Sequence, residues 1–301
     1  MRFCVSGASG FLGTTLCEHL HAQGHEVTRL VRRDTRADDE SSWEPASGRI
    51  DQHVIDASDV VVNLSGAAIA RWPWSTSYKR ELMDSRVTTT TTLARAIAAG
   101  SHKPAFISGS GMAAYGQDRG EEILTEESGA ADTSSHAGYL QEVVQAWESA
   151  TAPAADAGAR VCHVRTSVVL HRDGGALKLM SLPFKVGLGA RLGTGRQYFS
   201  TISRTDWIRG VEFLATDQQT SGPYNFVAPD VTTNAEFTQI LARQLHRPAL
   251  LAVPAPVIRL ALGDLAGQLL GSMRVEPRRL LEAGFQFRHP DTSSVVAAAR
   301  A

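Results

Sequence analysis

Three features of this 301-residue sequence predict a doubly wound α/β fold, a parallel sheet covered by helices on both faces. Short runs rich in β-branched residues recur and stop at Gly, Ser or Asn. Helical stretches lie between them, and three evenly spaced glycines follow the first run directly. Runs that are apolar throughout are strands buried on both faces, as a parallel sheet requires, and their alternation with helices is the order of β-α-β units.

The elements follow in chain order. "RFCVSG" (2–7) reads as the first strand, 11–23 as a helix, and "EVTRLVRR" (26–33) as a second strand ending in charge. "DVVVNLSG" (59–66), "PAFISGSG" (104–111) and "ARVCHVRTS" (159–167) are three more strands, with helices expected over 78–99 and 136–156. Ligands of such sheets sit beyond the carboxyl ends of the strands, so the informative loops are 7–13, 32–36, 63–72, 108–119 and 166–176. After residue 170 the texture changes to a glycine-rich loop (186–200), a helix (205–216), a strand (223–228), a helix (234–246) and a helical tail. Residues 1–170 are expected to form a nucleotide-binding core. Residues 171–301 are expected to form a small substrate-side lobe with late core elements, not an independent domain.

Composition sets the outer bounds. Hydrophobic residues make up 43% and charged residues 20%, the balance of a soluble globular protein. A net charge of -1 argues against nucleic acid and against a broad anionic-membrane surface as partners. No apolar run reaches about 18 residues and no secretory h-region opens the chain, so a cytoplasmic protein with a small-molecule substrate is expected. Cys4, Cys17 and Cys162 cannot all pair, and Cys4 and Cys162 read as reduced core thiols. The ten histidines are scattered and cysteine is sparse, so no metal site is expected. An oligomer is possible, but the sequence does not show one.

"SGASGFLG" (6–13) places glycines at 7, 10 and 13 between a strand and a helix. Gly7 permits the tight turn, Gly10 lets backbone approach a pyrophosphate, and Gly13 lets the helix pack close to the strand. Unpaired N–H groups and the dipole at the helix start favour an anion, and Ser9 can add a hydroxyl. This is a Rossmann-type phosphate loop. The residue type at the end of the second strand selects the dinucleotide: an acid there accepts the ribose 2′-OH of NAD, whereas cations suit the 2′-phosphate of NADP. Here stand Arg32 and Arg33, with Arg29 upstream, so NADP(H) is the expected cofactor.

The glycine loop, "NLSG" (63–66) and "SGSGMAAYG" (108–116) together resemble the extended short-chain dehydrogenase/reductases. Within them the chain is similar to a branch of NAD(P)-dependent epimerase-like oxidoreductases of unknown substrate. "WSTSYKRELMDSR" (74–86), "RTSVVL", "DGGAL", "GTGRQYFS", "HRPA" and the tail "RVEPRRLLEAGFQFRHP" (274–290) carry that likeness. The resemblance implies cofactor contacts at Gly7, Gly10, Phe11, Leu12 and Gly13, at Arg32, and at Leu64, Ser65 and Gly66. It adds Glu81 and Arg86 as a pair at the cofactor, and Ser108 and Val168 near the nicotinamide.

The pattern breaks at the catalytic pair. The wider superfamily uses Tyr-x-x-x-Lys, whose lysine lowers the tyrosine pKa, but Tyr139 is followed four residues later by Val143 and no lysine lies on that helix. Candidates for the chemistry are Tyr139 acting unaided, His136 one turn earlier, Tyr115, and Ser110 as a hydrogen-bond partner of a substrate carbonyl. Arg196 and Tyr198 in the late glycine-rich loop are candidate substrate contacts. The branch has "WIH" where this chain has "STIS" (200–203), which implies a changed pocket, and Asp206 after it reads as a helix cap. Three readings stay open: a reductase of a small carbonyl, enone or imine; an epimerase or cyclase using the same pocket; and a non-catalytic NADPH-binding or sensing protein.

Overall fold

The computed structural model describes the chain except Trp72, residues 132–137, Asp173 and Ala301. Seven strands form one sheet: β1 (Arg2–Ser6), β2 (Glu26–Val31), β3 (Glu40–Ser42), β4 (Val60–Asn63), β5 (Ala105–Gly111), β6 (Val161–Thr166) and β7 (Gly222–Phe226). Their order is β7-β6-β5-β4-β1-β2-β3, and every neighbouring pair is parallel. The order reverses beside β1, where the glycine loop leaves the sheet.

The strands are apolar throughout because both faces are covered. Phe3, Val5, Val60, Val62, Ile107 and Val164 pack with α1 (Phe11–Ala22) and α5 (Arg204–Thr216) on one face. Cys4, Val61, Phe106 and Val161 point to the other face, against Leu93, Ala94 and Ile97 of α2 (Thr76–Ala99). All three cysteines are buried and unpaired. The middle of α2 holds the β-branched run Thr88–Thr92, which by propensity disfavours a helix. Thr89 and Thr92 return their hydroxyls to the carbonyls of Ser85 and Thr88, and Ser75 caps the first turn by accepting from Tyr78 N–H.

Toward the carboxyl ends the α2 face of the sheet turns polar. Register aligns Ser6, Asn63, Ser108 and His163 across β1, β4, β5 and β6, and then Ser110, Arg165 and Asn225 across β5, β6 and β7. The helix α3 (Tyr139–Ser149) covers part of these rows.

Some boundaries differ from those read off the sequence. The second strand stops at Val31, leaving Arg32 and Arg33 in the following turn. The stretch expected as one helix over 136–156 is two, α3 and Ala152–Asp156, divided just ahead of Pro153. The short edge strand β3 carries no apolar run and was not expected.

The chain after residue 170 both completes the sheet, through α5 and β7, and builds a lobe. The lobe contains α4 (Gly175–Lys185), α6 (Asn234–Leu245), α7 (Ala255–Leu262) and small strand pairs such as Ala190–Leu192 with Leu251–Val253. Leu170, Leu177, Phe184, Phe199, Phe237 and Val295 form its core. At the start of α5 the cap is Ser203, which accepts from Asp206 N–H. The fully buried Asp206 instead accepts the backbone N–H groups of Arg288 and His289 and so fixes the tail.

A close backbone approach lies under the glycine loop. A Cβ on Gly13 would stand 2.2 Å from the Gly7 carbonyl oxygen, a backbone atom held in the β1–α1 turn. Gly13→Ala is therefore expected to cost about 1–3 kcal/mol, the range for overpacking a close-packed site. A lowered urea midpoint checks this; an unchanged midpoint would show that α1 can move away freely.

Candidate functional site

The glycine loop has the geometry of an anion cradle. Gly7 has φ +72°, which an L side chain rarely adopts, and Gly10 N–H donates to Gly7 O at 3.0 Å to close the turn. Helix α1 then begins at Phe11 with Gly10 as its N-cap, and no side chain caps it, so its first N–H groups are left for a ligand. Ser9 and Gly10 are exposed, and Phe11 and Leu12 half-buried. The cradle is backed by the loop after β4, since a Cβ on Gly7 would meet Leu64 C and O at 2.6 Å.

Asn63 sets that second loop, and the sequence reading passed over it. Fully buried, it accepts from Ser6 Oγ at 2.6 Å and from Ser65 N–H at 3.1 Å, and donates to Thr90 Oγ1 at 2.8 Å. A polar residue closing an otherwise apolar strand was the available signal. Leu64, Ser65 and Gly66 are thereby brought beside the glycine loop. Behind Gly66 lies Arg86: a Cβ on that glycine would sit 3.1 Å from the guanidinium carbon.

Arg86 is a buried cation that no ion pair among the described residues neutralises. Its nitrogens donate to the carbonyls of Leu82 and Ala67, both at 3.0 Å, and its guanidinium lies 5.0 Å from the Trp147 ring centroid. Burial pushes its pKa down to about 10. Glu81, expected with it at the cofactor, is exposed on α2, and no hydrogen bond or ion pair joins the two. The pair is a sequence spacing and not a contact.

At the end of β2 the arginines divide. Arg29 donates to Asp39 through two nitrogens at 2.7 Å, and Arg33 grips Glu40 at 2.7 and 2.9 Å. The Arg33 hydrogen bonds, with a backbone N–H from Arg36, pull the Glu40 carboxyl down to about 2, so this pair stays charged throughout the neutral range. Arg32 is exposed with no such partner among the described residues. Of the three, Arg32 is the cation left for a ligand.

Several of the expected cofactor and catalytic groups are already engaged. Ser108 is fully buried in mid-strand with its hydroxyl on Gly109 O, so it is not presented to the cleft. Ser110 O–H donates a hydrogen bond to Glu148 Oε1 at 2.6 Å, and Arg165 clasps the same carboxylate twice at 2.8 Å. Burial alone would raise the Glu148 pKa, but Arg165 outweighs it and keeps the carboxyl below its ordinary value. Toward a substrate Ser110 offers lone pairs, which suit a hydroxyl or N–H and not the carbonyl expected from sequence. Tyr115 is fully buried and donates to Asn225 Oδ1 at 2.7 Å; it belongs to the core and not to the proton-donor candidates.

Tyr139 opens α3 half-buried, its hydroxyl donating to the backbone carbonyl of Lys79. Burial, then the charges of Glu142 and Asp84, push its pKa up. Lys79 Nζ does lie near it, but over the ring at 5.4 Å from the centroid and paired with Asp264, not at the hydroxyl. His136 lies outside the described residues. Val168 is half-buried at the start of the strand paired with Thr201–Ser203. Arg196 is exposed, and Tyr198 is half-buried beneath the Arg274 guanidinium at 5.1 Å.

Known proteins with these features share most of the chain. The profile described as the NAD dependent epimerase/dehydratase family matches residues 3–225, and a domain of unknown function, DUF1731, matches 253–299. An epimerase family protein of Mycobacterium tuberculosis is 41% identical over 286 residues, 95% of this chain and 93% of that protein. The crystal structure of the human epimerase family protein SDR39U1 with NADPH superposes with TM-score 0.88 at 34% identity, covering 99% of each chain. A nucleoside-diphosphate sugar epimerase structure from Corynebacterium glutamicum gives TM-score 0.81 at 33% identity, covering 99% of this chain but 58% of that one.

Gly10 is the complement of Gly13. A Cβ there would meet only the Gly7 carbonyl oxygen, at 3.2 Å, and otherwise projects toward the space where a pyrophosphate would approach. Gly10→Val is expected to abolish dinucleotide binding while the apo thermal midpoint stays within a few degrees. Calorimetric titration showing unchanged binding would move the phosphate elsewhere.

Proposed function

Because the chain belongs to the NAD-dependent epimerase/dehydratase family, we propose that it is an NADPH-dependent reductase of a small carbonyl, enone or imine. The observation that carries this reading is the uncapped start of α1 in its glycine cradle, with the unpaired Arg32 standing at the end of β2. The structure of the human relative with NADPH supports it.

When bound, the cofactor supplies a hydride. The α1 N–H groups would hold the pyrophosphate, Gly7, Gly10 and Gly13 admit it, and Ser9 adds a hydroxyl. Arg32 would pair with the 2′-phosphate. Leu64–Gly66 would line the adenosine side, with the Arg86 cation behind them, and Val168 would stand toward the nicotinamide.

Tyr139 is the proton donor in this reading. Its raised pKa keeps the phenol protonated near pH 7, so it can give a proton at Oη but is a poor base there. To act, the hydroxyl exchanges the Lys79 carbonyl for the substrate atom. A second reading, NADPH binding without turnover, draws on the same hydrogen bonds, since Tyr139 and Ser110 both donate their protons within the protein. A broad panel of carbonyls, enones and imines tested for loss of NADPH absorbance separates the two: consumption supports the reductase, and tight binding without consumption supports the second reading.

Charge-assisted contacts of about 1.5–3 kcal/mol should make NADPH bind at least ~10-fold more tightly than NADH. Arg32→Asp is expected to remove most of that margin, whereas Arg33→Ala, whose arginine is occupied by Glu40, should remove little. Equal dissociation constants for the two cofactors in the native protein would refute the assignment.

Tyr139→Phe is expected to lower turnover by ~10²-fold with cofactor affinity unchanged, the usual scale for a positioned acid. Reduction should run well at neutral pH, and the reverse oxidation should stay slow until the pH is alkaline, because only then does the phenolate form. Full turnover in the phenylalanine variant would assign the proton to another donor.

A further inference from the structure

The substrate-side lobe exposes an apolar face that its own chain does not cover. Among the described residues, eight of the twelve exposed large hydrophobic side chains fall in 179–188 and 250–260. Helix α4 should carry polar residues outward. Instead Leu179 and Leu182, continued by Val186 just past its end, form one outward stripe at i, i+3 and i+7, while Leu177 and Phe184 point into the lobe core. The second segment adds Leu250 and Leu260, 90% and 91% exposed.

The two segments are joined in space. Leu251–Val253 pairs with Ala190–Leu192, and a Cβ on Gly189 would touch both the Phe184 ring and the Pro248 carbonyl oxygen at 2.6 Å. Helix α7, with Val257 and Leu260, follows that strand directly. The two exposed segments are therefore adjacent in the lobe.

Cations dominate its charge, although Asp173, Asp206, Glu236 and Asp264 adjoin the two segments in sequence. Residues 174–205 and 237–263 contain eight Lys and Arg and no Asp or Glu, in a chain whose net charge is -1. Lys178 and Lys185 flank the outward stripe of α4, and Arg191, Arg247 and Arg259 stand beside the second segment. All five are exposed, and none forms an ion pair among the described residues.

We propose that this face docks the protein on an anionic lipid bilayer, with the leucines entering the interface and the lysines and arginines meeting the headgroups. Exposed leucines bordered by cations are what an interfacial helix needs. A second copy of this chain fits less well, because a self-complementary contact would set the same unpaired cations against each other with no acid from either segment to neutralise them. The whole-chain charge, which argued against such a surface, averages over acids located elsewhere.

The test is co-sedimentation of the full-length protein with vesicles of phosphatidylcholine alone and of phosphatidylcholine with phosphatidylglycerol. Binding is expected only to the anionic vesicles and is expected to weaken with salt. The double variants Lys178→Glu/Lys185→Glu and Leu250→Asp/Leu260→Asp should each lower the bound fraction at least ~10-fold. Their NADPH titrations should match the native protein, which separates this proposal from the reading of the nucleotide site. All these side chains are exposed, so the fold should tolerate the changes. No binding to anionic vesicles, equal binding to phosphatidylcholine alone, or undiminished binding of both variants overturns the proposal. So does a dimer detected by light scattering that the leucine variants abolish, which would assign the face to a second copy.

Discussion

Three pieces of backbone converge on Gly7. The turn leaving β1, the first turn of α1 and the loop leaving β4 meet where a Cβ on Gly7 would stand 2.6 Å from Leu64 and a Cβ on Gly13 would stand 2.2 Å from the Gly7 carbonyl oxygen. Side chains are excluded from that junction, so α1 starts almost in contact with the sheet and its free N–H groups open at the carboxyl edge. The direction of the helix, the cradle it forms and the position of the Leu64–Gly66 wall all follow from this one steric condition.

The polar rows beneath that edge give it a fixed shape. Asn63 satisfies β1, its own loop and α2 at once, and the Ser110–Glu148–Arg165 cluster ties β5 and β6 to α3. Buried polar groups are costly unless paired, and here nearly every one has a partner, so the rows specify a single register where the strand ends would otherwise slide. The same pairing uses up protons. A tyrosine whose hydroxyl rests on a backbone carbonyl has to exchange partners before it gives a proton to a substrate, and a serine that donates to a carboxylate has only lone pairs to offer.

Charge is apportioned in the same way. Asp39, just before the edge strand, and Glu40 at its start neutralise Arg29 and Arg33, and Arg32 is left to solvent. Arg86 is the opposite case, a cation buried without a carboxylate behind Gly66, its charge spread over two carbonyls and an indole face. One positive charge is exposed at the surface and one lies buried behind the loop.

Periodicity and glycine spacing were enough to place the five central strands, the major helices and the phosphate loop, because those features are local: an apolar run, a turn residue and a helix start are each written within about ten residues of chain. The short edge strand β3 escaped because it has no apolar run. Pairing between distant residues was not legible at all. Nothing near Tyr115 shows that its hydroxyl meets Asn225, nothing near Ser110 indicates Glu148, and "LVRRD" does not say which arginine the edge strand will claim. The sequence by itself determined the fold class, the nucleotide loop and the cationic end of the second strand. The tertiary structure alone decided which hydroxyls and cations remain free, because that depends on partners 7 to 110 residues away that only the folded sheet brings within hydrogen-bond reach.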